Sequence, residues 1–190
     1  MVMRNCKHFK FNLNSNLIGI QGFWNQIIYL KSVLQSASPV RDLHVIFKGR
    51  FCCFSQEHVE DVDSWGESIE NLLSCKAGQI AFQEFLKSEY SEENILFWLA
   101  CEEYKKVTSD PEMISMANQI YTEFVETEAP RQVNIDSGTR TNITNKISEP
   151  NLNSFDTAQK MIFSLMARDC YPRFLKSDIY QSILQNRGKR

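Results

Sequence analysis

Histidine, the side chain that most often moves protons near neutral pH, is confined to the start of this 190-residue chain. The three histidines are His8, His44 and His58. Residues 59–190 therefore offer no imidazole for a Ser-His-Asp triad, a Cys-His pair or an HExxH zinc site. The seven glycines nowhere match GxGxxG or GxxxxGK[ST], so a glycine-rich nucleotide-binding loop is excluded as well.

Carboxylates are the remaining candidates for acid–base chemistry. Glu92-Glu93 and Glu102-Glu103 are adjacent pairs, but neighbours on a helix point about 100° apart and do not share a proton. The six cysteines form no CxxC motif, and they are typical of reduced intracellular thiols rather than of a metal site. We therefore expect no cofactor and no catalytic residue, and binding to another protein is the leading class of function.

Charge divides the chain into a basic arm and an acidic body. Residues 1–56 carry seven basic residues and one acid, a net charge of +6, whereas the rest carries 14 basic and 22 acidic residues, a net charge of −8. The total of −2 is unlike that of a nucleic-acid-binding protein. We expect an N-terminal arm over residues 1–58, a main domain over 59–186 and a short tail over 187–190.

The arm carries two features that suit a membrane surface. Apolar residues between Ile20 and Leu34 recur at helical spacing, and Lys48–Phe54 combines basic side chains with Cys52 and Cys53. Two acyl chains beside basic residues anchor a protein stably where one chain does not. Peripheral plasma-membrane attachment of a cytoplasmic protein, with acylation at Cys52 and Cys53, is one interpretation, and a tail that contacts nothing is the other.

From about residue 61 onward the hydrophobic pattern is helical throughout. Alternating strand patterns and hairpin dipeptides are absent from the sequence. We expect helices to begin at Asp63 or Ser64, at Ser91, at Pro111, and at Ser154 or Asp156. A loop is expected over 131–138, and Pro172 is expected to interrupt the helical pattern. The pattern predicts an all-α fold of many short helices.

Two segments are not explained by core or solvent-facing patterns. Glu89–Asn94 places a tyrosine and an asparagine at the start of the strongest predicted helix. Arg131–Ser137 alternates polar and apolar residues without being a strand. Their uncharged hydrogen-bonding groups suit ordinary capping and turn chemistry, or the recognition of a defined surface.

Five motifs between Trp65 and Leu184 closely resemble the domain of the regulators of G-protein signalling (RGS). The motifs are Ser88–Asn94, Phe97–Glu102, Ala129–Asp136, Phe155–Gln159 and Asp169–Leu175. The resemblance implies about nine short helices, arranged as a four-helix bundle plus a subdomain that joins the two ends of the domain. It also implies GTPase activation on heterotrimeric G-protein α subunits, whose switch segments the domain would bind in their transition-state arrangement. The α subunit supplies its own arginine.

The same resemblance implies a contact surface for the α subunit. Asn134 matches the position that reaches the catalytic glutamine and the switch backbone. Asp169, oriented by Arg173, matches an acceptor for backbone hydrogen bonds from a switch segment. The other implied contacts are Glu89, Tyr90, Glu93, Asn94, Gln132, Asp136, Ser137, Leu165 and Cys170. The implied core aromatics are Phe97, Trp98, Tyr121 and Phe174.

Two implied contacts depart from the pattern of the family. Cys170 stands where close relatives usually have serine, and we expect its larger, weakly hydrogen-bonding sulfur to alter affinity or α-subunit preference. Gln132 stands where many relatives have glutamate, and we expect the lost charge to affect the association rate more than the affinity.

The expected partner is an α subunit of the inhibitory or Gq class, bound by a monomer of this chain. A scaffold with the same fold that binds without activating is the alternative. An enzyme in its own right is disfavoured by the missing histidines and nucleotide motifs.

Overall fold

The computed structural model describes residues 62–187, and every regular element in that part of the chain is helical. The α-helices are Ile69–Ser74 (α1), Lys76–Ser88 (α2), Glu93–Tyr104 (α3), Asp110–Ile120 (α4), Ser137–Lys146 (α5), Asp156–Leu165 (α6), Tyr171–Phe174 (α7) and Asp178–Arg187 (α8). A 3₁₀ turn covers Ser64–Gly66, and two π-helical segments cover Tyr121–Val125 and Met166–Cys170. The predicted all-α fold is confirmed, and these eight α-helices of residues 62–187 differ little from the nine expected.

The first two helices meet at a close corner. α1 begins at Ile69 because the Ser68 side chain caps it, several residues later than predicted. Cys75 ends α1 and also caps α2, its Sγ accepting a hydrogen bond from the Gly78 N–H at 3.4 Å. A Cβ on Gly78 would lie 2.0 Å from the carbonyl oxygen of Leu72, so this corner requires glycine.

An aromatic cluster joins the beginning and the end of the described domain. The Phe174 ring lies 5.4 Å from the Phe82 ring and 5.7 Å from the Phe85 ring, both in edge-on geometry. The Tyr171 hydroxyl donates a hydrogen bond to the carbonyl of Trp65 at 2.7 Å. These contacts form the predicted subdomain that connects the two ends of the domain.

Helix α3 lies at the centre of the bundle and packs against α4 and α6, while α5 packs against α6. The Phe97 and Phe124 rings are 5.7 Å apart, and the Tyr104 and Phe155 rings are 5.3 Å apart. All four side chains are buried, and truncation of such an aromatic residue to alanine costs about 3–5 kcal/mol. The site segments therefore project from a rigid base.

The structure corrects several predicted boundaries. Ser91 does not cap α3; its hydroxyl donates instead to the carbonyl of Leu86 at 3.3 Å and closes the turn that follows α2. The loop that begins at Arg131 ends at Asp136, since residues 137 and 138 already belong to α5. Pro172 does not interrupt the helical pattern. It stands in the first turn of α7, where the N–H that proline lacks would have no partner within the helix.

Two of the four implied core aromatics are only half-buried. Phe97 and Phe174 are fully buried as expected, whereas Trp98 and Tyr121 are partly exposed. The basic arm, including Cys52 and Cys53, lies outside the described residues. Within residues 62–187 we find no helix with the length and apolar character needed to cross a membrane.

Candidate functional site

The first site segment is the Tyr90 turn, residues 89–94, which follows α2. The Ser91 N–H donates to the Leu86 carbonyl at 2.9 Å, and the Tyr90 N–H donates to the Lys87 carbonyl at 3.1 Å. This pair of bonds is a Schellman motif, whose left-handed position is usually glycine. Here Tyr90 occupies it with a φ of 54°, and the residue is 96% exposed. A strained backbone thus presents an aromatic ring to solvent.

Asn94 and Glu93 stand where the Tyr90 turn enters α3. The Asn94 side chain is buried, and its Nδ2 donates to the Ser91 carbonyl at 3.1 Å. Its Oδ1 is buried without a hydrogen-bond partner among the described residues, which is uncommon for a buried polar atom. Burial raises the pKa of the Glu93 carboxyl, an effect that its own backbone N–H partly offsets.

Arg173 joins the Tyr90 turn to the end of the bundle. Its Nη2 lies 2.5 Å from Oε2 of Glu89, and its Nη1 donates to Oδ1 of Asp169 at 3.0 Å. Asp169 belongs to the second π-helical segment and has an exposed side chain. The guanidinium therefore bonds to the carboxylate that the resemblance expects it to orient.

The second site segment is the Asn134 loop, residues 131–136. The side chains of Val133 and Ile135 are buried, while Asn134 between them is exposed. The Ile135 N–H donates to the Val133 carbonyl at 3.1 Å, which closes a three-residue turn with Asn134 at its apex. Within residues 62–187 the Asn134 amide makes no hydrogen bond, so its donor and acceptor both face solvent.

The Asn134 loop is fastened to the first π-helical segment. The N–H groups of Arg131 and Val133 donate to the carbonyls of Glu123 and Phe124 at 3.1 and 2.9 Å. The Arg131 guanidinium also forms an ion pair with Glu123, with Nη1 and Oε1 2.7 Å apart and both side chains largely buried. Nothing in the sequence pattern predicted this pairing, because the two residues are eight apart and share no helix.

Asp136 and Ser137 mark the start of α5 rather than free loop positions. Oδ1 of Asp136 accepts from the Thr139 N–H at 2.8 Å, and Oδ2 accepts from the Thr139 hydroxyl at 2.6 Å. These bonds, the hydroxyl bond first, lower the pKa of Asp136. The Thr139 hydroxyl also lies 3.6 Å from the Met161 sulfur. The Asn134 loop therefore continues into a helix that contacts α6 one turn before Leu165.

The implied contact residues differ in exposure. Glu89, Gln132, Asp136, Ser137 and Arg173 are exposed and Leu165 is half-buried.

Cys170 is a correction to the implied surface, since only 3% of it is exposed. Burial raises the pKa of its thiol, and neighbouring Asp169 adds to the effect. Any influence of Cys170 on a partner therefore passes through the packing beneath Asp169 and Arg173.

The described π-helical segments both adjoin this site. The first, Tyr121–Val125, leads into the Asn134 loop, and the second, Met166–Cys170, contains Asp169. Such turns redirect side chains by inserting one residue into a helix, and they are frequent at functional sites.

The groups that the site segments carry suit recognition. They are an exposed aromatic residue at Tyr90, an amide at Asn134 that makes no hydrogen bond within residues 62–187, and a carboxylate at Asp169 bonded to Arg173. Among residues 62–187 we find no cluster of three or more His, Cys, Asp or Glu side chains that could hold a metal ion.

Comparison with known proteins identifies this architecture. A family model described as the regulator of G protein signaling domain matches residues 68–183. Regulator of G-protein signaling 21 from Homo sapiens is 49% identical over 135 residues, which is 71% of this chain and 89% of that protein. Regulator of G-protein signaling 8 from Danio rerio is 50% identical over 125 residues, 66% of this chain and 72% of that protein.

A solved structure shares the fold at low sequence identity. It is the PDZRhoGEF rgRGS domain in a complex with Galpha-13 bound to GTP-gamma-S, with a TM-score of 0.50 and 22% identity. The match covers 75% of this chain and 66% of that one. The family model spans all the site segments described above, and the chain therefore belongs to the family of regulators of G-protein signalling.

Proposed function

We propose that the Tyr90 turn, the Asn134 loop and the Asp169–Arg173 pair together receive the switch segments of a heterotrimeric G-protein α subunit. As a regulator of G-protein signalling, the domain activates the GTPase of another protein and so terminates the signal. The α subunit carries its catalytic arginine in cis. The domain contributes differential binding, because it holds the switch segments in the arrangement that they adopt in the transition state. No residue of the domain reacts in this scheme.

The exposed amide of Asn134 is the observation that carries the proposal. A side chain at the apex of a fastened turn can orient a catalytic glutamine and a switch backbone without first reorganising itself. Preorganised dipoles of this kind account for a large share of the rate acceleration in many active sites.

The other groups fit the binding of a switch segment. Asp169 can accept backbone N–H bonds, and Arg173 keeps its carboxylate in place. The Tyr90 ring supplies exposed apolar area of the kind that anchors protein interfaces.

Single-turnover GTP hydrolysis tests this function. The full chain is added to GTP-loaded α subunits of the inhibitory and Gq classes, which are the partners that we propose for a monomeric domain. Asn134→Ala should reduce the acceleration by about 100-fold, as expected when a preorganised polar group is lost from a catalytic centre. Asn145→Ala, at an exposed position on α5, is the matched control and should retain full activity.

Two outcomes would overturn the proposal. The first is a wild-type chain that does not accelerate GTP hydrolysis by any of these α subunits. The second is equal affinity for the GDP form and for the GDP–aluminium fluoride form, which mimics the transition state. That second result would favour the alternative role of a scaffold that binds without activation.

Membrane attachment of the arm is a separate proposal that rests on the sequence of residues 48–54. We propose a cytoplasmic protein with peripheral plasma-membrane association through acylated Cys52 and Cys53. In fractionated cells the Cys52→Ser/Cys53→Ser variant should move from the membrane to the soluble fraction, whereas the control variant Cys6→Ser should not. Unchanged partitioning of the double variant would show that these cysteines do not anchor the chain.

A further inference from the structure

Arg140 connects the two parts of the structure that hold Asn134. It lies near the start of α5, and its Nη1 donates to the carbonyl of Val125, the last residue of the first π-helical segment. Its Nη2 donates to the carbonyl of Val133 at 3.4 Å. The Val133 carbonyl also accepts from the Ile135 N–H and so closes the turn that has Asn134 at its apex.

Both carbonyls lie in a dry environment, and within residues 62–187 the Val125 carbonyl depends on this guanidinium for its partner, while the Val133 carbonyl shares it with the Ile135 N–H. Val125 and Val133 are almost completely buried, and a carbonyl at the end of a helix lacks its usual intrahelical donor. A guanidinium is a planar fork that can hold two carbonyls in a fixed relation, whereas a lysine ammonium is a single point of charge. In the described part of the chain Arg140 forms no ion pair with a carboxylate, so its interactions are directed to the backbone.

We propose that Arg140 is a positioning residue for Asn134. It locks the apex turn to the end of the first π-helical segment and thereby sets the direction of the Asn134 amide, without contacting the α subunit. This inference rests on the function proposed for Asn134. Arg131 fastens the same loop to Glu123, but its side chain reaches neither of the two carbonyls that Arg140 holds.

The first test uses the free full-length chain and NMR relaxation at Asn134. In the wild type the backbone order parameter should be near the rigid value of about 0.85, and in Arg140→Lys it should fall toward about 0.6. Arg168→Lys is the matched control, because Arg168 is exposed and, among residues 62–187, bonds only to the Ser164 carbonyl in its own helical stretch. Unchanged order parameters in both Arg140→Lys and Arg140→Ala would overturn the inference.

The second test is a double-mutant cycle in single-turnover GTP hydrolysis. Arg140→Ala should reduce the acceleration about tenfold, since a small displacement of a positioning group is costly in rate. In the Asn134→Ala background, Arg140→Ala should reduce the remaining acceleration by less than about twofold. Equal losses in both backgrounds would contradict the proposal, because Arg140 would then act independently of Asn134.

The two tests separate the failure of this inference from the failure of the proposed function. If the wild-type chain does not accelerate hydrolysis, the function proposed for Asn134 is wrong, and the order parameters still decide whether Arg140 fixes the turn. If Arg140→Ala does not fold, Arg140→Lys replaces it in the cycle, with an expected loss of about threefold.

Discussion

The Tyr90 turn and the Asn134 loop each present one exposed side chain, but the structure holds them in different ways. The Tyr90 turn is closed by backbone bonds to carbonyls three and five residues earlier, and it keeps a non-glycine residue in the left-handed region. The Asn134 loop is fastened by Arg131 and Arg140 to residues of another helical segment. The first segment stores strain, whereas the second depends on side chains that the function itself does not use.

This difference indicates opposite responses to substitution. A residue that relieves the strain of the Tyr90 turn should stabilise the domain while removing a contact with the partner. A residue that removes a fastening of the Asn134 loop should lower both stability and activity.

The largest expected effect is the loss of the Arg131–Glu123 ion pair. Arg131→Ala leaves a largely buried carboxylate without its partner, so the free energy of unfolding should fall by about 2 kcal/mol in urea titrations. The control is Lys106→Ala, which removes an exposed ion pair with Glu103 of similar length, 2.8 Å, and should cost less than about 1 kcal/mol. Equal costs for the two variants would show that the loop does not depend on this fastening.

The Tyr90 turn should respond in the opposite direction. Tyr90→Gly relieves a left-handed strain of about 1–2 kcal/mol but adds the backbone entropy cost of glycine, for a net gain of about 0.5–1 kcal/mol. Because Tyr90 is 96% exposed, little packing is lost. Affinity for the transition-state form of the α subunit should nevertheless decrease.

The control for that substitution places glycine where the backbone is still helical. Lys87→Gly, in the last turn of α2, should lower the free energy of unfolding by about 1 kcal/mol. A loss of stability in Tyr90→Gly of the same size would contradict the assignment of strain to Tyr90.

Substitution of Arg173, which pairs with both Glu89 and Asp169, should reduce GTPase activation much more than it reduces stability. Its ion pairs with Glu89 and Asp169 involve side chains that are about one-third or more exposed, so Arg173→Ala should lower the free energy of unfolding by less than about 1 kcal/mol. GTPase acceleration should fall about tenfold, because Asp169 loses its orientation. A variant that unfolds readily but activates normally when folded would assign these ion pairs to stability alone.

The sequence predicted the parts of this site that depend on local rules. Helical periodicity and capping residues indicated the all-α fold, and the motif around Tyr90 located the turn within a residue or two. Ser91 was wrongly predicted as a helix cap, because its hydroxyl bonds backward to Leu86, a choice decided by packing. The roles of Arg131 and Arg140 could not be predicted, since their partners lie seven to fifteen residues away in chain order and no periodic pattern links them.

The smallest expected effect concerns the pH dependence of Glu93, which stands at the end of the Tyr90 turn. Burial raises the pKa of this carboxyl above its usual value of about 4.5, so the folded domain binds a proton more tightly than the unfolded chain does. Stability should therefore decrease as pH rises from the usual value through the raised one, and Glu93→Gln should remove that part of the dependence. Urea midpoints measured across this pH range provide the test, with Glu126→Gln, at an exposed position, as the control. The contrary result is a wild-type midpoint that rises with pH relative to that of Glu93→Gln. Hydrogen bonding to the Glu93 carboxylate would then outweigh its burial. The Tyr90 turn would in that case be stabilised by a charged side chain, as the Asn134 loop is by the Arg131–Glu123 ion pair.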